Sequence, residues 1–221
     1  MNIIISQPKQ ENNLQTLKQH ITYASPNDFV FFPEGYIKSY EDVCKVAKLA
    51  QAKSIFVVAG YLDKDSKDRV LIIDNKGKIL LDRRKTRTNE RLVEPFSIFI
   101  NDMNIGYILC MEILKGYDQL DRYTDMKLDM IFHPIGTGMF SEAQFKEWIH
   151  EATRISKKYD TTVIGTSHAD GSFQNCGVSI PISYVVKKGE TLFISKDDTR
   201  SRVYNYGTEK TYIFNPKNEH Y

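Results

Sequence analysis

The feature that most constrains this chain is the alternation of short apolar runs with amphipathic helical patterns. Apolar runs such as 28–32 and 54–61 predict buried strands. After Ser141, apolar residues recur along one stripe at helical spacing. Hairpin signals also intervene, as at Asn75-Lys76-Gly77. This mixture predicts a layered α/β fold with mixed sheets rather than a strictly parallel one.

Capping residues indicate where the helices begin. Ser39 with Asp42, and Ser141 with Gln144, have the spacing of an N-cap and its third helical residue. Asn12 or Asn13 is a candidate cap for the first helix. A further helix is predicted over 117–126.

Size and charge limit the class of protein. The 221 residues carry 30 basic and 28 acidic side chains, a formal charge of +2, which gives no electrostatic reason to expect nucleic acid. Three cysteines are too few for a disulfide framework or a zinc site. The chain has no signal-peptide pattern, and no apolar run reaches the roughly 18 residues of a membrane helix. We therefore expect a reduced, soluble, cytoplasmic protein with no membrane partner.

The chain has no internal repeat or linker, so one domain is predicted over residues 1–204. Residues 205–221 form a polar, tyrosine-bearing C-terminal tail. Two alternatives are open for this tail: it has no fixed structure, or it packs on a partner subunit.

Reactive residue types follow several predicted strands directly. They are Glu34, Lys85, Cys110, His133 and His168. In layered α/β folds the strand ends form the rim where ligands bind, so we expect a shared cleft. The competing interpretation is that polar residues end strands in any case.

Glu34, Lys85 and Cys110 together suit acyl transfer. A thiol with an ordinary pKa of about 8.5 needs a base or a nearby cation to act as a nucleophile. A carboxylate can take the thiol proton and pass it to a leaving amine, and a lysine can stabilise the oxyanion. On position alone, the favoured interpretation of Cys110 is a small apolar core residue.

Three segments carry a specific resemblance. Phe32-Pro33-Glu34, Asp82-Arg-Arg-Lys85-Thr86 and Gly106-Tyr-Ile-Leu-Cys110-Met-Glu112 resemble the signature segments of the nitrilase superfamily of carbon–nitrogen hydrolases, in that family's order. Looser similarity at 129–134, 148–154 and 175–179 extends the resemblance over residues 1 to about 200. It implies an α-β-β-α sandwich of four layers with mixed sheets, commonly assembled as a homodimer.

The resemblance also implies roles. Glu34 would be the general base and later the general acid, Lys85 the oxyanion stabiliser, and Cys110 the nucleophile that forms a thioester. The backbone N–H of Met111 would be a second oxyanion donor. Many members carry another glutamate that positions the substrate; Glu94 is our choice for it and Glu90 the alternative.

The function predicted from these residues is hydrolysis of a non-peptide C–N bond in a small amide-type substrate, without metal or organic cofactor. Nitrile and carbamoyl substrates stay open, as do acyl transfer by the same triad and an inactive binding or regulatory protein. An acidic substrate would need a spare cation, for which Arg84 or Arg87 is a candidate.

Other residues have alternative interpretations. A papain-like pairing of Cys110 with His133 or His168 ranks below the triad, because Cys110 lacks a helix-capping context. His133 has two equal interpretations, as a residue that lines the pocket or as one that ends a strand. His168 is expected on a surface loop, and contact with substrate is the alternative. Glu112 is expected to hold its loop by a salt bridge. Cys44 is expected in the core and Cys176 in strand packing.

Overall fold

The strands of the chain form two mixed sheets that lie face to face. The computed structural model describes residues 1–120, 127–172 and 176–216. Within these ranges the first sheet contains β1 (Asn2–Ile5), β2 (Phe29–Phe31), β3 (Phe56–Leu62), β4 (Asp68–Ile73), β5 (Ile79–Arg84), β12 (Arg202–Asn205) and β13 (Lys210–Ile213). The second contains β6 (Ser97–Ile100), β7 (Met103–Tyr107), β8 (Met130–Pro134), β9 (Thr162–Thr166), β10 (Ile182–Lys187) and β11 (Glu190–Lys196).

Each sheet has a parallel centre and antiparallel flanks. The strand orders are β13-β12-β1-β2-β3-β4-β5 and β11-β10-β9-β8-β7-β6. Strands β1, β2 and β3 are parallel to one another, as are β7, β8 and β9. The helices are α1 (Gln15–Tyr23), α2 (Tyr40–Lys53), α3 (Ile113–Gln119) and α4 (Glu142–Lys158). The predicted mixed sheets are confirmed.

The alternation of side chains along the strands builds three apolar cores. In β1, Ile3 and Ile5 point into the core between the two sheets, whereas Ile4 packs in the core beneath α1 and α2. In the second sheet, Phe132 faces the central core and Ile131 faces the core that contains Trp148 of α4. The result is the predicted four-layer α-β-β-α sandwich.

Residues beyond 204 contribute to the first sheet. Strand β13 pairs antiparallel with β12, with Arg202 opposite Ile213 and Asn205 opposite Lys210. Strand β12 pairs in turn with β1. Within the segment predicted as a tail, residues 210–213 are therefore an edge strand, and residues 217–221 lie outside the described residues.

The helix starts agree with the sequence in two cases and differ in two. The hydroxyl oxygens of Ser39 and Ser141 each accept a hydrogen bond from the backbone N–H three residues later, at 3.1 Å, so both predicted caps are confirmed. Helix α1 instead has Leu14 at its N-cap, with φ 55°. Helix α3 begins at Ile113, earlier than the predicted 117–126, because it continues directly from a 3-10 turn. Residues 121–126 lie outside the described residues.

No helix in the described ranges combines the length and apolar character needed to span a bilayer.

Candidate active site

Backbone surrounds Glu34 closely on two sides. It follows β2 in a loop and is 8% exposed. A Cβ added at Gly60 would lie 2.7 Å from the Glu34 Cα, and one added at Gly136 would lie 3.0 Å from the Glu34 Oε2. At Gly60 only glycine permits the approach, whereas a Cβ at Gly136 would require the Glu34 carboxyl group to shift slightly. His168 contributes from behind, since its Nε2 donates to the Glu34 carbonyl at 3.0 Å.

Lys85 comes from the end of β5 and meets Glu34 directly. Its Nζ donates to the Glu34 Oε1. The strand pairing of β4 with β5 also brings Asp68 beside it: the Lys85 N–H donates to the Asp68 carbonyl at 3.0 Å, and Lys85 Nζ lies 3.8 Å from Asp68 Oδ2. The ammonium therefore lies between two carboxylates.

Cys110 is presented on a sharp bend. It lies three residues beyond β7, has φ 51°, and opens the 3-10 turn Cys110–Glu112 that leads into α3. A non-glycine residue in the left-handed region is strained and needs support from its surroundings. His133 supplies part of that support, because its Nε2 donates to the Cys110 carbonyl at 2.9 Å.

A buried ion pair fixes the same bend from the other side. Arg83 donates to both carboxylate oxygens of Glu112 at 2.8 Å, and the two side chains are 2% and 1% exposed. The backbone N–H groups of Thr86 and Leu109 also donate to this carboxylate, each at 2.7 Å. The expected structural role of Glu112 is confirmed.

The electrostatics of the three converging groups are coupled. Burial raises the pKa of Glu34, with a further contribution from Asp68, while Lys85 opposes the rise. Burial and the Glu34 carboxylate raise the pKa of the Cys110 thiol, although Lys85 and a hydrogen bond from Gly136 oppose them. Burial lowers the pKa of Lys85, but Cys110, Glu34 and Asp68 outweigh it and raise the pKa overall. The resting site thus holds a protonated thiol beside the Glu34 carboxyl group and the Lys85 ammonium.

These groups line one cavity of about 480 Å³, within the range of small-molecule sites. The lining residues are Gln10, Glu34, Gly35, Lys38, Leu62, Asp68, Lys85, Cys110, Met111, Ile135, Gly136, Thr137, Gly138, Phe140, Gln144, Trp148, His168 and Cys176. Most of the wall is apolar or uncharged, and Glu34 and Lys85 are the charged groups that act on the thiol. The cavity can hold a small polar molecule against the Cys110 thiol.

The structure brings together five of the seven predicted site residues. Glu34, Lys85, Cys110, Met111 and His168 all line the cavity. The oxyanion role of the Met111 N–H stays a prediction. His168 is buried, at 2% exposed, so its expected surface position is wrong.

His133 and Glu94 do not reach the cavity. His133 is fully buried behind Cys110, between the Trp148 and Tyr184 rings. Glu94 is exposed and is not among the cavity-lining residues, so its predicted position at the substrate is wrong. A loop beyond strand β5 carries it outward.

The alternative Glu90 is also outside the cavity. Its carboxylate pairs with Arg84 Nη1 at 2.5 Å. Arg87, the other candidate spare cation, lines a neighbouring groove instead of the cavity.

A papain-like arrangement has no geometric support among the described residues. The ring nitrogens of His133 contact the Tyr184 hydroxyl and the Cys110 carbonyl, not the sulfur. Burial lowers the pKa of both His133 and His168 to about 4, so both are neutral near pH 7. The reason given from sequence was nevertheless wrong, because Cys110 does open a helical turn.

Two charged cavity residues, Asp68 and Lys38, escaped sequence reasoning. The register of the β4–β5 hairpin could have predicted Asp68, because Arg69 pairs with Arg84 and Asp68 therefore lies opposite Lys85. Lys38 lies in the short loop between Glu34 and α2, and nothing in its local pattern marks it.

The other cysteines occupy different environments from those expected. Cys44 and Cys176 are both exposed, so the predicted core position of Cys44 and packed position of Cys176 are wrong. Cys176 also lines the cavity. Within the described ranges, no three His, Cys, Asp or Glu side chains are grouped to hold a metal ion.

The fold is similar to several solved structures. A carbon–nitrogen hydrolase from Helicobacter pylori G27 has a TM-score of 0.73 at 14% identity, covering 90% of this chain and 86% of that one. Nit3 of Saccharomyces cerevisiae, from branch 10 of the nitrilase superfamily, has a TM-score of 0.72 at 13% identity, covering 92% and 88%. An amidase from Nesterenkonia has a TM-score of 0.70 at 13% identity, covering 92% and 89%.

The chain also matches part of a larger enzyme. A glutamine-dependent NAD+ synthetase from Acinetobacter baumannii has a TM-score of 0.71 at 12% identity; 97% of this chain is covered but only 47% of that one, so this chain spans about half its length. No protein-family model matches the sequence. No curated protein matches it significantly.

Proposed function

We propose that this chain, which has the fold of the nitrilase superfamily, hydrolyses a carbon–nitrogen bond in a small amide through a thioester on Cys110. The observation that carries the proposal is the contact of one carboxylate, one ammonium and one thiol at the wall of a single cavity. These groups come from positions 34, 85 and 110 and have no local reason to meet. The hydrolases and the amidase of the same fold support this chemistry.

The first step forms the acyl-enzyme. Glu34 takes the Cys110 proton as the sulfur attacks the amide carbonyl, which avoids a free thiolate in a site where burial raises the thiol pKa. Lys85 Nζ and the Met111 N–H receive the oxyanion. The C–N bond then breaks, and Glu34 passes its proton to the departing ammonia or amine.

The second step releases the acid. Glu34 takes a proton from water, the hydroxide attacks the thioester carbonyl, and the C–S bond breaks as the proton returns to sulfur. The raised pKa of Glu34 suits this alternation between base and acid, since a group with a pKa nearer the working pH gives and takes protons more readily. An amine in place of water would give acyl transfer by the same steps.

The test is incubation with a panel of small amides and carbamoyl compounds, read by ammonia release and intact mass. Fluoroacetamide belongs in the panel, because its acetamide moiety adds covalently at the active site cysteine of a mutant of the Nesterenkonia amidase. We expect turnover or a mass gain that Cys110→Ala removes. Cys44→Ala is the matched control, since its thiol is exposed and does not line the cavity, and this variant should keep the Cys110 adduct. If no compound in the panel released ammonia or formed an adduct, the proposal would be contradicted.

A further inference from the structure

Lys38 is a cation in the cavity that the proposed reaction does not use. It is partly buried and lines the same wall space as Glu34, Asp68 and His168. Its Nζ donates to the Gly35 carbonyl at 2.8 Å, which holds the ammonium toward the cavity. An ammonium has three N–H donors, so this bond leaves two for a ligand.

The nearby carboxylates are committed elsewhere. Glu34 bonds to Lys85, and Asp68 lies 3.8 Å from the same ammonium. Among the described residues, no carboxylate oxygen lies within 4.0 Å of the Lys38 nitrogen. Asp68 acts on Lys38 only at longer range, raising its pKa against the larger lowering by burial. Lys38 is thus a partly desolvated cation without a partner of opposite charge in contact.

A neighbouring groove of about 840 Å³ shares Asp68, Lys85 and Met111 with the cavity. Three of its cations are already paired with acids outside the groove lining: Arg69 with Asp82, Arg84 with Glu90 and Lys85 with Glu34. The attraction for an anionic ligand is therefore assigned to Lys38 and not to the groove.

We infer that the preferred substrate is a short amide that carries a carboxylate at its other end, and that Lys38 is the residue that selects it. The inference rests on the proposed function for the reaction but concerns binding of the acidic end. The ammonium of Lys38 pairs with the carboxylate while the amide carbonyl lies against Cys110 and Lys85. The earlier candidates Arg84 and Arg87 do not fill this role, since neither lines the cavity.

Binding can be tested without turnover. Succinamate and its uncharged counterpart butyramide are titrated by calorimetry into the Cys110→Ala variant, with and without Lys38→Met. We expect succinamate to bind more tightly than butyramide, and Lys38→Met to weaken succinamate by about 10- to 100-fold, the usual range for a hydrogen bond to a charged group. Butyramide should change by less than about twofold.

Matched variants separate charge from folding. Lys38→Arg keeps the charge and should retain part of the preference for succinamate. Lys48→Met removes an exposed lysine of α2 that does not line the cavity, and should leave both affinities unchanged. Thermal melting of each variant checks that the fold is intact.

The outcomes distinguish the two proposals. Equal binding of succinamate and butyramide, loss of both on Lys38→Met, or no binding of succinamate overturns the role of Lys38, whether or not amides are hydrolysed. Selective binding of succinamate that depends on Lys38 supports it, even if the wild-type protein releases no ammonia and the hydrolase proposal fails.

Discussion

Two glutamate–cation pairs lie close together and behave in opposite ways. Strand β5 and the residue after it supply both cations, Arg83 and Lys85, while the glutamates are Glu112 and Glu34. Arg83 and Glu112 are almost fully buried, and arginine and backbone donors satisfy both carboxylate oxygens. Glu34 instead shares a cavity wall with a thiol, and its lysine is 28% exposed.

The two environments shift the pKa values of the two carboxyl groups in opposite directions. Burial alone would raise the pKa of Glu112, but Arg83 and the donors of Thr86 and Leu109 lower it overall. Burial raises the pKa of Glu34 more than Lys85 lowers it. A fully satisfied carboxylate holds a loop, whereas an incompletely satisfied one beside a thiol can exchange protons.

The largest expected effect is on activity, at the cavity pair. Glu34→Gln keeps the shape but removes the base, so kcat should fall by about 10²- to 10⁴-fold. Because burial disfavours the Glu34 carboxylate, the free energy of unfolding near pH 7 should not fall appreciably. Ammonia release and urea denaturation measure the two quantities. A large loss of stability would instead make Glu34 a structural residue like Glu112.

The second effect is on stability, at the buried pair. Arg83→Met leaves the Glu112 carboxylate buried without its cation, which should reduce the free energy of unfolding by about 3–5 kcal/mol. Activity should fall at least as far as the folded fraction, because the bend at Cys110 also loses part of its support. The double variant Arg83→Met with Glu112→Leu should recover part of the stability. No recovery, or a loss below about 1 kcal/mol in the single variant, would contradict this account.

The third prediction concerns pH. Because the pKa of Glu34 is raised above 4.5, its carboxylate is protonated as pH falls through that higher value, and kcat/KM should fall there. The pKa of Glu112 is lowered, so its stabilisation is complete above pH 4.5 and is lost only as pH falls through the lower folded-state value. Activity should therefore disappear while the native fold persists. A kcat/KM profile and near-UV circular dichroism follow the two changes.

Buried histidines make the free energy of unfolding depend on pH as well. His133 and His168 have pKa values lowered from 6.5 to about 4, so the unfolded chain binds protons that the folded chain excludes between these values. Stability therefore decreases as pH falls from 6.5 toward 4, in wild type and Glu34→Gln alike. If the activity loss coincided with loss of the near-UV signal, the distinction between the pairs would fail.

The smallest expected loss of stability is at a partly exposed ion pair between strands β4 and β5. Arg69 Nε lies 2.8 Å from Asp82 Oδ1, with the side chains 27% and 28% exposed. Arg69→Met should lower the free energy of unfolding by less than about 1 kcal/mol, because water already solvates both groups. Urea denaturation beside Arg83→Met makes the comparison direct. A loss equal to that of the buried pair would show that burial is not the deciding factor.

Much of the fold follows from local patterns in the sequence. Alternation within runs such as 3–5 and 29–32 fixes which side chains face the central core and which face the helices. The Ser39 and Ser141 caps follow from spacing alone. Helix α3 was misplaced because a 3-10 turn, which has no apolar periodicity, precedes it.

The site likewise contains residues that local sequence patterns predict and residues that they do not. Glu34, Lys85 and Cys110 could be predicted because each follows a strand and the three segments share a family pattern. Asp68 and Lys38 depend on strand register and loop path, which bring distant residues together without a local signature. Glu94 failed because its place depends on the path of a loop, and sequence spacing does not fix that path.

The glycine contacts around Glu34 have a consequence for anyone redesigning substrate preference. Gly136 contributes main chain to the cavity wall, and Gly60 packs against the Glu34 backbone, where an added Cβ would collide; neither position offers a side chain to trim. Leu62, Phe140 and Gln144 form other parts of the wall with side chains that can be exchanged. A library aimed at new amides should vary these three positions and leave the two glycines constant.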